Sequence, residues 1–239
     1  MSHARCVPSS RLVFPSPTTH KRQRVAPQAV RAVAMATSAQ TPHPRLDPSR
    51  VVLFVCDVQE KFAPVIHGFA NCVYVAQLML RASELLGFTA IITEQVPDKL
   101  GKTVHALQAI IKDNEDHVYA KTKFSMVNPE TSDHLDSLEE VIAKPQALLC
   151  GLETHVCVSQ TAFDLLERGW ELFILVDGVS SQRTGDRSVA LRRMENAGCV
   201  LTTSEAALFD LVGDARHDKF RDVSKLVREP RPEVPLPVP

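Results

Sequence analysis

Three residues of this 239-residue chain have the types and settings that covalent chemistry needs: Cys157, Asp57 and Lys121. The run Leu148-Leu149-Cys150-Gly151-Leu152-Glu153-Thr154-His155-Val156-Cys157-Val158 passes from an apolar strand through a glycine turn into a helix. That spacing puts the Cys157 thiol in the first helical turn, where free N–H groups and the helix dipole favour a thiolate and can receive an oxyanion. Read alone, the same cysteine is also a buried structural thiol, the commoner role. Asp57 ends the all-apolar run Val51-Val52-Leu53-Phe54-Val55-Cys56. A carboxylate there costs desolvation unless something satisfies it, and a helix cap or loop anchor would do so as well as a reaction. Lys121, in Ala120-Lys121-Thr122-Lys123-Phe124-Ser125, would keep a buried carboxylate ionised and bring positive potential to a nearby thiol. His155 is two residues from Cys157, about 200° around a helix, so it reads as a cap or rim residue rather than a base for that thiol.

The elements that must position these groups follow a strand–helix alternation between about residues 45 and 228. The apolar runs at 51–56, 88–93, 147–150, 172–176 and 199–202, with a less apolar one at 117–120, predict six strands. Helices are predicted over 70–86, 104–112, 154–168, 187–196 and 219–227, with others capped by Thr131 or Ser132 and started by Ser204-Glu205; Gly87, Gly169 and Gly198 act as stops. The reading is an α/β fold, three layers α/β/α around a six-stranded parallel sheet. Ligands in such folds bind at the carboxyl ends of strands. Asp57, Glu94, Lys121, residues 151–157 and Asp177 all fall at those ends. No glycine-rich dinucleotide or P-loop motif follows any strand.

Composition narrows the classes. A net charge of −1 and a pI near 6.8 give no electrostatic footprint for nucleic acid or an anionic membrane. No apolar run approaches the ~20 residues of a spanning helix. The six cysteines lack metal-ligand spacing, and Cys56, Cys150 and Cys199 sit in or beside strands as small hydrophobes, so no disulfide is expected. Residues 1–45 contain Arg5, Arg11, Lys21, Arg22, Arg24, Arg31 and Arg45 but no Asp or Glu. An Arg- and Ser-rich, acid-free N-terminus reads as an organelle transit peptide, plastid favoured over mitochondrion, with cleavage near Ala34; a disordered basic tail is the alternative. Residues 46–228 form the domain, and 229–239 a Pro-rich solvated tail.

Taken together, Asp57-Val58-Gln59-Glu60-Lys61-Phe62, Lys121-Thr122-Lys123-Phe124-Ser125 and Gly151-Leu152-Glu153-Thr154-His155-Val156-Cys157-Val158 resemble the three signature segments of isochorismatase-like cysteine hydrolases, in the expected order. The resemblance spans nearly all of residues 48–228. Thr93-Glu94-Gln95, Phe124-Ser125-Met126, Thr203-Ser204-Glu205 and Leu211-Val212-Gly213-Asp214-Ala215 draw it towards the domain-containing protein 2 branch.

The resemblance implies a fold, a triad and a reaction. Cys157 would be the nucleophile, Asp57 the base that takes its proton, and Lys121 the cation that orients both. The backbone N–H groups of Glu153 and Cys157 would form the oxyanion hole, with a cis peptide between Leu152 and Glu153. Gln59, Phe62 and Ser125 match pocket positions, and Glu94 or Gln95 would meet substrate or simply anchor a loop. Family members that hold a metal place an Asp and histidines after strand two. Here Thr93-Glu94-Gln95-Val96-Pro97 stands in that place, so no metal, no cofactor and no nicotinamide substrate are expected. The implied reaction is attack on an amide, carbamoyl or related carbonyl of a small molecule through a thioester, in a homo-oligomer. Two other classes use the same residues: a non-catalytic binding protein that kept the pocket, and a redox-responsive thiol protein.

Overall fold

A computed structural model describes residues 45–111 and 117–232. The expected transit segment therefore lies outside the described residues except for Arg45, and so does the tail from residue 233. The elements in chain order are β1 (Val51–Cys56), α1 (Phe69–Leu86), β2 (Thr89–Gln95), α2 (Pro97–Leu100), α3 (His105–Ile111), β3 (Val118–Lys121), α4 (Pro129–Val141), β4 (Gln146–Leu152), α5 (Ser159–Glu167), β5 (Glu171–Ser180), α6 (Thr184–Asn196), β6 (Val200–Thr202), α7 (Ser204–Val212) and α8 (Phe220–Leu226). The strands form one sheet, in the order β3-β2-β1-β4-β5-β6, and every pairing is parallel. This is the three-layer α/β/α architecture that the sequence predicts.

β1 and β4 are apolar throughout because they lie at the centre of the sheet with both faces covered. Leu53 and Val55 of β1 pack with α1, α3, α7 and α8, while Val52, Phe54 and Cys56 pack with α4, α5 and α6. Phe54 meets Trp170 edge to face at 5.5 Å, an arrangement that adds about 0.5–1.5 kcal/mol to burial alone. Gly178 lets α1 lie close on β5: a Cβ there would meet Val75 Cγ1 at 2.4 Å.

Among the differences from the sequence reading, three have a clear local cause or consequence. The fourth helix is capped by Asn128, whose side chain accepts from Glu130 N and Thr131 N. Thr131 is then the reciprocal member of the capping box rather than the cap, with Pro129 in the first turn. β5 runs on to Ser180, because its pairing with β4 shifts from Leu149↔Ile174 to Gly151↔Val179 through a bulge. The buried Arg187 side chain donates to Val179 O at 2.8 Å and to Val176 O, and so holds carbonyls on either side of Asp177-Gly178. The segment 154–168 is not one regular helix. Thr154–Val158 is a π-helical turn, and α5 begins only at Ser159.

Residues 229–232, the start of the expected solvated tail, are tied down. Glu229 pairs with Arg81 of α1 at 2.6 and 2.8 Å and accepts from the Tyr74 hydroxyl through its carbonyl.

Candidate active site

Asp57, Lys121 and Cys157 converge at the carboxyl ends of β1, β3 and β4, as their positions after those strands require. Asp57 turns out of β1 at φ +52°, a left-handed conformation that a carboxylate tolerates better than most side chains. Its backbone N–H donates to Thr93 O, and Thr93 Oγ1 donates to its Oδ1 at 2.7 Å. Lys121 Nζ donates to Oδ2 at 2.7 Å, and the two side chains are 0% and 1% exposed. The same ammonium reaches Gln95 Oε1 at 2.6 Å and Phe124 O at 2.8 Å. Burial works against its charge. The Cys56, Asp57 and Cys157 groups around it outweigh that, and hold Lys121 above the usual lysine range.

Cys157 is 7% exposed and sits in the π-helical turn. Such turns widen the backbone spacing and recur at functional sites. Its sulfur, a carboxylate oxygen of Asp57 and the sulfur of Cys56 all lie within 4.8 Å of one another. Thr161 fixes the turn to the loop after β3: its Oγ1 donates to Cys157 O at 2.7 Å and accepts from Met126 N at 2.9 Å. The peptide between Leu152 and Glu153 is cis. Glu153 O accepts from Val156 N and Val158 N, and its Oε2 accepts from Gln182 N at 2.9 Å. His155 Nδ1 is 3.0 Å from Ser181 Oγ, so this ring is engaged with the end of β5.

Gly151 makes the approach of β4 to β1 possible. It pairs with Cys56 at φ +113°, and a Cβ there would lie 2.1 Å from Cys56 O. No other residue fits that space beside the reactive groups.

The predicted pocket residues divide by what they touch. Gln59 is a buried clamp: its amide accepts from Gln95 N at 2.8 Å and donates to Gln95 O and Gly101 O. Gln95 joins that clamp to Lys121 and also donates to Thr122 O. Ser125 shapes its own loop, accepting from Val127 N through Oγ and from Asn128 Nδ2 through its carbonyl. Phe62 packs in a small cluster with Ile66, Cys72 and Leu152, beside the cis peptide. Strand alternation puts Glu94 on the opposite face from Thr93 and Gln95. There its carboxylate accepts from Thr103 N and Thr103 Oγ1 and pairs with Lys102.

Two residues that touch the centre carried no signal of their own in the sequence. Thr93 and Cys56 are register partners in the β1–β2 ladder, and each hydrogen-bonds the Asp57 carboxylate, Cys56 Sγ at 3.5 Å from Oδ2. Among the described residues, Cys56, Asp57 and Cys157 are the side chains close enough to share a metal ion. Lys121 and Thr93 already occupy both Asp57 oxygens, and burial pushes the Cys56 thiol well up, which makes it a poor source of thiolate.

Asp57, Lys121 and Cys157, one carboxylate with its cation beside one thiol, are consistent with isochorismatase-family catalysis. Among the described residues, no helix is long and apolar enough to cross a membrane. The chain is 44% identical over 182 residues to isochorismatase domain-containing protein 2 of Xenopus laevis, covering 76% of this chain and 85% of that one. It is 44% identical over 192 residues to the Bos taurus protein of the same name, with 79% and 88% covered. A solved structure titled MAR1 ribonuclease, from Caenorhabditis elegans, superposes with a TM-score of 0.74 at 42% identity over 82% of this chain and 98% of that one. The model of the isochorismatase domain matches residues 51–206, and the chain belongs to that family.

Proposed function

We propose that the chain is a cysteine hydrolase that cleaves an amide, carbamoyl or related bond of a small molecule. The observation that carries this reading is the juxtaposition of the Cys157 thiol with a buried Asp57 carboxylate that is itself held by Lys121. Asp57 takes the thiol proton, and the sulfur attacks the substrate carbonyl. The backbone N–H groups of Glu153 and Cys157 receive the developing oxyanion. The leaving amine departs with the proton from Asp57, which leaves a thioester on Cys157. A water, giving its proton to Asp57, attacks that thioester; the acid leaves and the thiol is restored. Gln59, Gln95, Ser125 and Phe62 shape the wall of the pocket, and Lys121 holds the Asp57 carboxylate in place beside the thiol. Glu94 braces the loop that carries Thr103.

The test is a panel of small amides, carbamates and ureides scored by mass for an acyl adduct on Cys157, with Cys157→Ala as control. A short RNA belongs in the panel, because a relative at 42% identity carries a ribonuclease title. An adduct on Cys157 with turnover of any carbonyl substrate supports the reading. Turnover of RNA alone, or turnover that survives Cys157→Ala, overturns it.

The acid-free, Arg-rich residues 1–45 support import into an organelle, the plastid before the mitochondrion. N-terminal sequencing of protein from organelle fractions tests this, and an intact Met1 there would refute it. The resemblance also supports a homo-oligomer, which light scattering would reveal.

A further inference from the structure

Cys56 is a second thiol at the reactive centre that the hydrolytic cycle does not use. It ends β1 and is fully buried in the same core cluster as Cys157, whereas Cys150, the ladder partner of Val55, packs on the opposite face of the sheet. Its sulfur lies within 4.8 Å of the Cys157 sulfur and 3.5 Å from Asp57 Oδ2. We propose that Cys56 and Cys157 form a peroxide-driven disulfide pair, in which Cys157 is the residue oxidised first and Cys56 the thiol that resolves it. The proposal rests on the reading of Cys157 as the activated nucleophile, and adds a modification site to it, with hydroperoxides as the co-substrate class.

The environments divide the two roles. Cys157 retains some exposure and sits beside the Lys121–Asp57 pair, the setting of a thiol that reacts with solutes. Burial keeps Cys56 protonated and away from solvent, so it does not meet the oxidant. In the first step the Cys157 sulfur attacks the terminal oxygen of the hydroperoxide. The O–O bond breaks, the alcohol or water leaves with a proton, and Cys157 becomes a sulfenic acid. In the second step Cys56 gives its proton to Asp57 Oδ2, and its sulfur attacks the Cys157 sulfur. The S–O bond breaks, and hydroxide leaves as water with the proton from Asp57. Two thiols and one hydroperoxide thus give one disulfide, one alcohol or water, and one further water.

A disulfide requires the sulfurs to close to about 2.0 Å. Both cysteines stand at points where the backbone leaves regular structure, the end of β1 and the π-helical turn, and both side chains have a single χ1 to rotate. The pair would block hydrolysis while it lasts, and would spare Cys157 from irreversible over-oxidation.

The experiment treats the reduced full-length protein with a small excess of hydrogen peroxide. Intact mass, tryptic mapping and iodoacetamide labelling are then read before and after dithiothreitol. The expected result is the loss of two hydrogens and a cross-link between peptide 51–61 and peptide 124–168, assigned by fragmentation to Cys157 rather than Cys150. Dithiothreitol then restores Cys157 labelling. In Cys56→Ala, and in Cys56→Ser as the variant closer in size, Cys157 gains two oxygens and labelling after dithiothreitol falls by about tenfold or more, because a sulfinic acid is not reduced by thiols. Ordinary labelling before peroxide with no Cys56–Cys157 cross-link after it overturns the pairing and leaves the hydrolase reading standing. A cross-link in a protein that gives no acyl adduct upholds the pairing while the hydrolase reading fails.

Discussion

Lys121 Nζ lies 2.7 Å from Asp57 Oδ2, with both side chains out of solvent. An ion pair this deeply buried contributes little net stability, because desolvation of both charges offsets their attraction. It sets a carboxylate and a lysine cation beside the Cys157 and Cys56 thiols. Gln95 and the Phe124 carbonyl complete the cation's shell, so the charge is fixed in place rather than free to reorient.

Removing one partner leaves the other charged and unpaired. Lys121→Met is expected to destabilise the fold by about 3–5 kcal/mol, read by urea denaturation. The double variant Asp57→Asn/Lys121→Met should recover part of that loss, since no orphan charge remains. A double variant no more stable than the single one would show that the cost lies in packing and not in charge.

Thr93 touches Asp57 through one hydroxyl, 2.7 Å from Oδ1. Thr93→Val keeps the β-branched shape in β2 and deletes that bond. Stability should fall by about 1–3 kcal/mol, the range for a buried acceptor that loses its donor. A Thr93→Ser variant, which restores the hydroxyl, should recover acyl-adduct formation on Cys157. Equal adduct rates in Val and Ser variants would mean that Thr93 only packs.

Gly151 has no tolerance for a side chain. Gly151→Ala places a methyl group 2.1 Å from Cys56 O and a non-glycine residue at φ +113°. β1 and β4 must then separate at the point where Asp57 and the Cys157 turn begin. The expected outcome is a loss well beyond the roughly 1 kcal/mol of an ordinary glycine replacement, with soluble yield as the first readout. Gly169→Ala serves as the comparison: it also has a positive φ, but nothing lies within 4 Å of the added Cβ, so it should cost much less.

Much of this was legible in the sequence. The continuous apolar runs of β1 and β4 announce central strands, and the order of Asp57, Lys121 and Cys157 along the chain follows from strand ends in a parallel sheet. What escaped depends on register or on non-local partners. Thr93 faces Asp57 because of its pairing with Cys56, and Gln59 clamps Gln95 and Gly101 across a gap that no local pattern encodes. A bulge against β4, with Val176 O and Val179 O held by the Arg187 side chain of the next helix, accompanies the lengthening of β5 past Val176, where hydrophobicity alone would stop it. Period-two alternation was available to separate Glu94 from Gln95. Cys56 reads as one more hydrophobe in an apolar run, and only its neighbours in space reveal a second role.

Buried thiols give the fold a predictable alkaline limit. Burial pushes Cys72 and Cys199 up to about 12, and Cys150 higher still. In the unfolded chain a cysteine ionises near pH 8.5, so between that pH and about 12 the unfolded state sheds protons that the folded state keeps. Fewer protons on the unfolded form means that stability falls as pH rises, and the contribution of each thiol is fully present only below about pH 8.5. The loss should reach about 2 kcal/mol per thiol between pH 8 and pH 10. Lys121, held above its usual range, adds a loss in the same direction above about pH 10.4. Urea titrations at pH 8 and pH 10 measure the slope. Cys72→Ala, which removes one fully buried thiol from the small cluster beside Leu152, should be less stable than the parent at pH 8 but lose about 2 kcal/mol less on going to pH 10. An unchanged slope in that variant would mean that Cys72 ionises alike in the folded and unfolded chains, against its complete burial.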